Sequence, residues 1–469
     1  MKKPEISRIG LALGPVLFTI IVLAPIDGLS LEAKIVLGTA FLMGAWWVTE
    51  AIPIYVTALL PLVVFPILHV TELAQVSTFY ADRIVFLMLG GFFLAAAIER
   101  TGLHQRFAFT ILKLFGTNPK SIIGAFVLVT GVLSAWMSNT ATTLLMLPIA
   151  IAIITSLDIQ NKEKFSICLL LSIAYAASIG GIATLIGTSP NAIFASLSKS
   201  LVGIDVSFAQ WLLVGLPVSA ISLFVMWLYM VNVGVRIGKT PIIGEKTLIA
   251  KKLEDLGKIS RDEKLVIVVF AGAVTAWITR GLVWADLFPL VDDSTIALFA
   301  AMSLFFIPSK NKRLLDWSSA VKIPWGILVL IGGGLALAGS FTVTGVDVWM
   351  ADHLSFLHGA NYFIIILVLA SVVIFSEYLS NTATAALMIP VAAALAPTLG
   401  VNPILLMMPV AIAASYGFIL PSSTPSNAIV LSSGHVNPKK MARIGLPLNI
   451  IGVLLVSVLT TLLVPLVWG

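Results

Sequence analysis

Charge is scarce in this chain. Asp, Glu, Lys and Arg together make up 11% of its 469 residues, against roughly 25% in soluble domains. Apolar residues make up 59%, and the mean hydropathy is +1.06. That balance excludes an ordinary cytosolic enzyme, a secreted disulfide scaffold and a nucleic-acid-binding domain. Cysteine is nearly absent as well. Cys168 stands alone in the apolar run 165–171, so no internal disulfide forms and a packed, inert thiol is expected. The five histidines, His69, His104, His353, His358 and His435, have no metal-ligand spacing and are expected at surface loops and helix ends. No phosphate-loop lysine follows Gly90-Gly91 or Gly332-Gly333-Gly334, so these glycines read as helix-packing positions.

What the chain has in quantity is apolar length. A membrane-crossing helix needs about 20 residues, and apolar stretches occur near 9–26, 34–49, 53–70, 84–99, 121–157, 165–200, 208–235, 265–284, 294–308, 324–343, 361–398, 403–434 and 443–468. Two of them, 121–157 and 361–398, are interrupted mid-way by Ser-Asn-Thr; a helical hairpin that enters and leaves on one side fits both. Two more, 165–200 and 403–434, are broken by Gly187-Thr188-Ser189-Pro190 and by Pro421-Ser422-Ser423-Thr424-Pro425, as in discontinuous crossing helices. The expected fold class is an all-α polytopic membrane protein with about eleven transmembrane helices and two re-entrant hairpins. Lys2, Lys3 and Arg8 precede the first apolar run without a small-residue cleavage site after it, so residues 1–30 are expected to be an extra, retained helix.

The net charge of +6 is a matter of placement. With the N-terminus in the cytoplasm, 24 of the 28 Lys and Arg residues fall on the cytoplasmic side, and only Lys34, Arg83, Lys199 and Arg280 lie outside. That is the positive-inside bias of a membrane protein, not the signature of a polyanion partner. The same count puts the C-terminus outside. Segment 236–264, with eight basic and five acidic residues, reads as a solvated cytoplasmic linker between two halves, 31–235 and 265–469.

The halves repeat one set of landmarks in the same order. Gly90-Gly91 and Gly102 match Gly333-Gly334 and Gly345 at an offset of 243, and Ser138-Asn139-Thr140 matches Ser380-Asn381-Thr382 at 242. Gly187 to Ile193 matches Ser423 to Ile429 at 236, and Gly215-Leu216-Pro217 matches Gly445-Leu446-Pro447 at 230. Five crossings separate equivalent helices, and an odd number inverts the second copy. Charge points the same way: basic residues flank the first hairpin, whereas the 116 positions between Lys322 and Lys439 contain none. Inverted repeats with broken helices are an architecture of secondary transporters.

Three consecutive polar residues inside an apolar run are costly unless they bind something or satisfy one another. At a hairpin tip one arm ends in unpaired carbonyls, suited to a small hard cation, and the next begins with unpaired N–H groups, suited to an anion. The helix breaks offer the same pairing. No Lys or Arg lies in either hairpin, so an anion there depends on helix N-termini, on Asn139, Thr140, Asn381, Thr382, Thr188 and Thr424, and on co-bound cations. Glu377 is the one acidic residue within either hairpin, with Ala135 at the matching place; it either binds cations or caps the hairpin at a wet face. A serine hydrolase would need a base, and no histidine lies in either hairpin or either helix break; a passive channel is the third class, distinguished by whether uptake is concentrative.

These motifs resemble the divalent anion/sodium symporter family, which includes the sodium/dicarboxylate and sodium/sulfate cotransporters. Ser415-Tyr416-Gly417-Phe418-Ile419-Leu420-Pro421 through Asn427-Ala428-Ile429-Val430 is similar to that family's signature, and the likeness extends over nearly the whole chain. One departure is Ser422-Ser423, where the family often has an aliphatic residue and glycine. The resemblance implies one sodium site from Ser134, Ser138, Asn139 and Gly187 and a second from Ser376, Ser380, Asn381 and Ser423. It implies substrate contacts from both Ser-Asn-Thr motifs, Thr188, Ser189, Thr424 and Pro425. It further implies a homodimer, elevator-type alternating access, no organic cofactor and no enzymatic activity. A C4 dicarboxylate such as succinate, malate or fumarate, imported with sodium across the plasma membrane, is the expected substrate. A sodium-independent dicarboxylate exchanger, and a sodium/sulfate or citrate symporter, answer to the same residues.

Overall fold

A computed structural model describes residues 3–115, 118–156, 162–238, 245–309, 312–353, 355, 359–375 and 377–468. His358 and Ser376, both singled out above, lie outside the described residues. Nearly all of the structure is α-helix, apart from a two-residue antiparallel ladder of β1 (Pro308–Ser309) with β2 (Lys312–Arg313). Among the described residues, seven helices are long and apolar enough to cross a membrane, and further apolar helices are shorter. The chain is a multi-pass membrane protein.

The first helix, α1 (Lys3–Leu23), lies along α2 (Leu31–Thr49). Then come α3 (Ile54–Thr57), α4 (Leu60–Ile67), α5 (Leu73–Thr78), α6 (Arg83–Thr101) and α7 (Leu103–Leu114). A pair, α8 (Pro119–Ser134) and α9 (Asn139–Ser156), is followed by the broken α10 (Lys162–Gly180) and α11 (Ser189–Val202), and by α12 (Phe208–Tyr229). After α13 (Glu245–Asp255), a corresponding series runs α14 (Arg261–Thr279), α15 (Asp293–Phe306), α16 (Trp317–Ala320), α17 (Trp325–Thr344) and α18 (Val346–His353). It continues with the pair α19 (Tyr362–Phe375) and α20 (Asn381–Leu399), the broken α21 (Ile404–Ala413) and α22 (Pro425–Ser432), and the long α23 (Pro438–Trp468).

Two expectations change. Residues 53–70 do not form one crossing helix: Pro53 precedes α3, and Pro61 and Pro66 fall in the separate, eight-residue α4, since proline removes a backbone donor and crowds the preceding turn. Nor is 236–264 only a solvated linker. Its helix α13 packs on α7 with Ile249 buried, and Arg106 of α7 bonds the Glu263 carboxylate at 2.5 Å and the Gly257 carbonyl at 2.8 Å.

The two series interlock at their broken helices. α22 of the second packs between α9 and α10 of the first, and α11 of the first packs against α20 and α21 of the second. From Phe165 to Gly180 every residue of α10 is buried. Close approach needs small residues here: a Cβ built on Gly180 would overlap the Gly131 backbone of α8, whereas one on the exposed Gly272 meets nothing within 4 Å. Gly180→Ala is therefore expected to lower the thermal midpoint of the detergent-solubilised protein by several degrees. Gly272→Ala is expected to leave it unchanged or raise it, alanine being the better helix former by about 1 kcal/mol. Equal midpoints for the two variants would contradict this packing.

Candidate functional site

Ser138 and Ser380 each stand one residue ahead of a helix. Ser380 has extended backbone and its Oγ accepts the Ala383 N–H at 3.2 Å; Ser138 Oγ accepts the Ala141 N–H at 3.2 Å. Each serine caps the third N–H of its helix, leaving the N–H groups of Asn139 and Thr140, and of Asn381 and Thr382, without intrahelical acceptors. Both motifs line one cavity of about 820 Å³ with Gly187, Thr188, Ser189, Ser423, Thr424 and Pro425. Four helix N-termini, of α9, α11, α20 and α22, thus meet at one cavity, each with the partial positive charge of its unpaired N–H groups. All ten residues expected to touch substrate line it.

The breaks are held open by two asparagines in matching places. Asn191 Nδ2 donates to the carbonyls of Gly181 (2.9 Å) and Thr184 (2.7 Å), and Asn427 Nδ2 to those of Gly417 (2.8 Å) and Leu420 (3.0 Å). These are the carbonyls a continuous helix would have paired. Both asparagines are buried. Sequence reasoning matched the strings containing them but gave them no role, although their recurrence in the repeat was the available signal.

At the first tip and break, oxygen atoms crowd together. Ser134 Oγ lies 2.7 Å from Asn139 Oδ1 and 2.6 Å from the Ala177 carbonyl, and Gly187 packs against the carbonyls of Gly181 and Ala135. Ser134 is buried behind Asn139 and does not line the cavity. At the second break Ser423 replaces Gly187, and its Oγ reaches the carbonyls of Leu420 (2.7 Å) and Gly417 (3.0 Å). At Gly187 there is no space for such a side chain: a Cβ there would overlap the Gly181 carbonyl oxygen. Among the described residues no group of three or more His, Cys, Asp or Glu forms a metal cluster, so the ligands on offer to a cation here are neutral oxygens, as suits a hard ion.

Glu377 sits at no wet face. It is 5% exposed, and its carboxylate accepts the backbone N–H groups of Phe418 (2.9 Å), Ile419 (2.9 Å) and Leu420 (2.8 Å), and the Asn449 side-chain amide. Three successive peptides of the unwound stretch between α21 and α22 are thereby fixed by one side chain. In the first half the matching Ala135 contributes only its carbonyl, which accepts the Thr184 hydroxyl.

Residues 7–468 match the sodium:sulfate symporter transmembrane region. The chain belongs to that family. Its similar relatives include the sodium-dependent dicarboxylate transporter SdcS of Staphylococcus saprophyticus, 40% identical over 98% of this chain and 92% of the relative. SdcS of Staphylococcus aureus strain RF122 is 41% identical, with the same coverage. Among solved structures, the Alcanivorax borkumensis YdaH transporter, described as having an unusual topology, superposes with a TM-score of 0.59 at 12% identity, over 86% of this chain and 89% of that one. That likeness concerns the fold. Members of this symporter family are transporters rather than enzymes.

Within this family fold, the cavity extends beyond the residues that sequence reasoning picked out. It runs past Tyr55, Met88 and Phe92 to Glu99 and Arg100 at the end of α6 and to Lys322 just before α17. These charged residues lie outside the hairpins and breaks, where no sequence motif marks them. His104 is a correction of a different kind: it is buried at the α6–α7 junction with Nδ1 3.1 Å from the Ile98 carbonyl, and burial pushes its imidazole pKa down.

The Glu377 contacts predict a stability effect. Glu377→Gln places a donor against backbone donors in a buried site, at a cost of about 2–4 kcal/mol, and the thermal midpoint should drop by at least several degrees. A midpoint equal to that of the unaltered protein would mean that the carboxylate does not hold the break.

Proposed function

We propose that the chain is a secondary active symporter that imports a small dicarboxylate, a C4 species such as succinate, malate or fumarate, together with sodium. The observation that carries this reading is the convergence of both Ser-Asn-Thr tips and both helix breaks on one cavity. Unpaired N–H groups and hydroxyls from two opposed tips suit two carboxylates. The same tips offer carbonyl and amide oxygens for sodium: Ser134, Ser138, Asn139 and Gly187 in one half, Ser380, Asn381 and Ser423 in the other, with Ser376 completing the second set. The relatives named as sodium-dependent dicarboxylate transporters support both substrate class and coupling ion.

Coupling follows from electrostatics. At the tips no basic side chain meets a dianion, so sodium ions supply the charge that the protein omits; cation binding raises anion affinity, and by linkage anion binding raises cation affinity equally. Alternating access carries the hairpin-bearing elements, elevator-fashion, against the rest of a homodimer. The N-terminus is cytoplasmic and the C-terminus outside. The ion pairs keep to one side or the other of this topology: Arg83 and Lys199 meet Asp205, and Arg280 meets Asp293, on the proposed outer side. Arg100–Asp316, Arg106–Glu263 and Lys440–Glu163 fall on the inner one.

The test is uptake of labelled succinate into proteoliposomes with an inward sodium gradient or with choline in its place. Sodium is expected to drive concentrative uptake that collapses when the gradient is dissipated, and equal uptake in choline would refute symport. Asn139→Ala and Asn381→Ala should each weaken both the sodium and the succinate dependence by at least about ten-fold, the loss of a charge-assisted contact being worth roughly 1.5–3 kcal/mol. Wild-type sodium activation in both variants would mean that the sites lie elsewhere.

A further inference from the structure

The cavity that holds the hairpin tips has charged side chains at one end. Glu99 lies in the last turn of α6, Arg100 follows it, and Lys322 stands three residues ahead of α17. The three do not act alike. Arg100 is spent: its guanidinium bonds Asp316 at 2.6 Å and Ser319 Oγ at 3.2 Å, and the hydrogen bonds that Asp316 accepts from Ser318 and Arg100 hold its carboxyl well below the usual carboxylate range. Lys322 is exposed and makes no ion pair or hydrogen bond through its ammonium among the described residues. Glu99 likewise has no side-chain partner among them. One free positive and one free negative charge therefore stand at the mouth of a cavity whose deeper wall is neutral.

The matching positions of the repeat do not carry these charges. By the repeat offset of 243, Lys322, Glu99 and Arg100 correspond to Phe79, Thr342 and Val343. A feature required by the transport cycle as such would be expected in both halves. This one belongs to a single face, the cytoplasmic one in the proposed orientation.

We propose that Lys322 is a docking point for a substrate carboxylate at the cytoplasmic mouth, and that Glu99 opposes it by repelling the dianion, so that together they set the affinity for substrate on that face alone. The proposal rests on the reading of the chain as a sodium-coupled dicarboxylate symporter. A lysine ammonium is a compact, mobile charge suited to passing an anion along rather than clamping it. A charge at the rim of a low-dielectric cleft raises the local concentration of its counter-ion, an effect that salt screens over about 10 Å at 0.1 M.

The test uses the full chain in right-side-out and inside-out membrane vesicles, with sodium fixed and ionic strength set by choline chloride. In inside-out vesicles at low ionic strength, Lys322→Gln should raise the KM for succinate about three- to ten-fold and Glu99→Gln should lower it, both effects shrinking to within about two-fold near 0.5 M salt. In right-side-out vesicles both variants should match the wild-type KM, and Lys322→Arg should match it on both faces. An unchanged KM for Lys322→Gln in inside-out vesicles, or an equal rise on both faces, overturns the proposal while leaving sodium-coupled transport intact. Absence of sodium-driven succinate uptake by the wild-type chain removes the underlying reading and this proposal with it.

Discussion

In hydrocarbon a backbone N–H or C=O has no water to turn to, and each one left unpaired costs several kcal/mol. The structure depends on how this chain meets that constraint where its apolar helices are interrupted: at two hairpin tips and two breaks. α21 has ten residues and α22 eight, about 15 and 12 Å at 1.5 Å per residue, so neither spans a bilayer core of about 30 Å. Each interruption must be repaired by side chains, and the repairs are nearly all neutral. Ser138 and Ser380 cap helix starts; Asn191 and Asn427 take carbonyls of the breaks. The exception is Glu377, a carboxyl group surrounded by backbone donors and, among the described residues, without a cationic partner.

What the repairs leave over is the binding surface. Two N–H groups per capped helix start remain without protein acceptors beside a shared cavity, and the oxygens near Asn139 remain without enough donors. Scaffold and site are thus made from the same polar atoms. The two halves solve the problem differently in detail. Gly187 lets the Gly181 carbonyl approach closely at the first break where Ser423 places a hydroxyl at the second, and Ala135 stands where Glu377 does. The cavity is pseudo-symmetric in outline and asymmetric in chemistry, and its charged mouth carries that asymmetry furthest.

Much of this was readable from residue order, for physical reasons. Ser-Asn-Thr in a forty-residue apolar run stands out because polar residues there need a purpose, and the helices do stop at those points. The breaks were equally visible through Gly187, Pro190, Pro421 and Pro425. Residues 53–70 were misread because an apolar count does not see what Pro61 and Pro66 do to a helix. The role of Glu377 was undecided because its partners lie more than forty residues away, in a segment whose unwinding only tertiary packing fixes. Glu99 and Lys322 join one cavity wall across more than two hundred residues, a juxtaposition no local pattern encodes.

The central claim is that sodium supplies the charge missing from the tips, so that anion and cation bind as a linked set. Its most direct test is calorimetric titration of the purified chain with succinate, in sodium and in choline at equal ionic strength. The account predicts binding in sodium that weakens at least about ten-fold in choline, a coupling of roughly 1.4 kcal/mol or more, with sodium affinity rising by the same factor when succinate is saturating. Succinate binding of equal strength in both salts would contradict it.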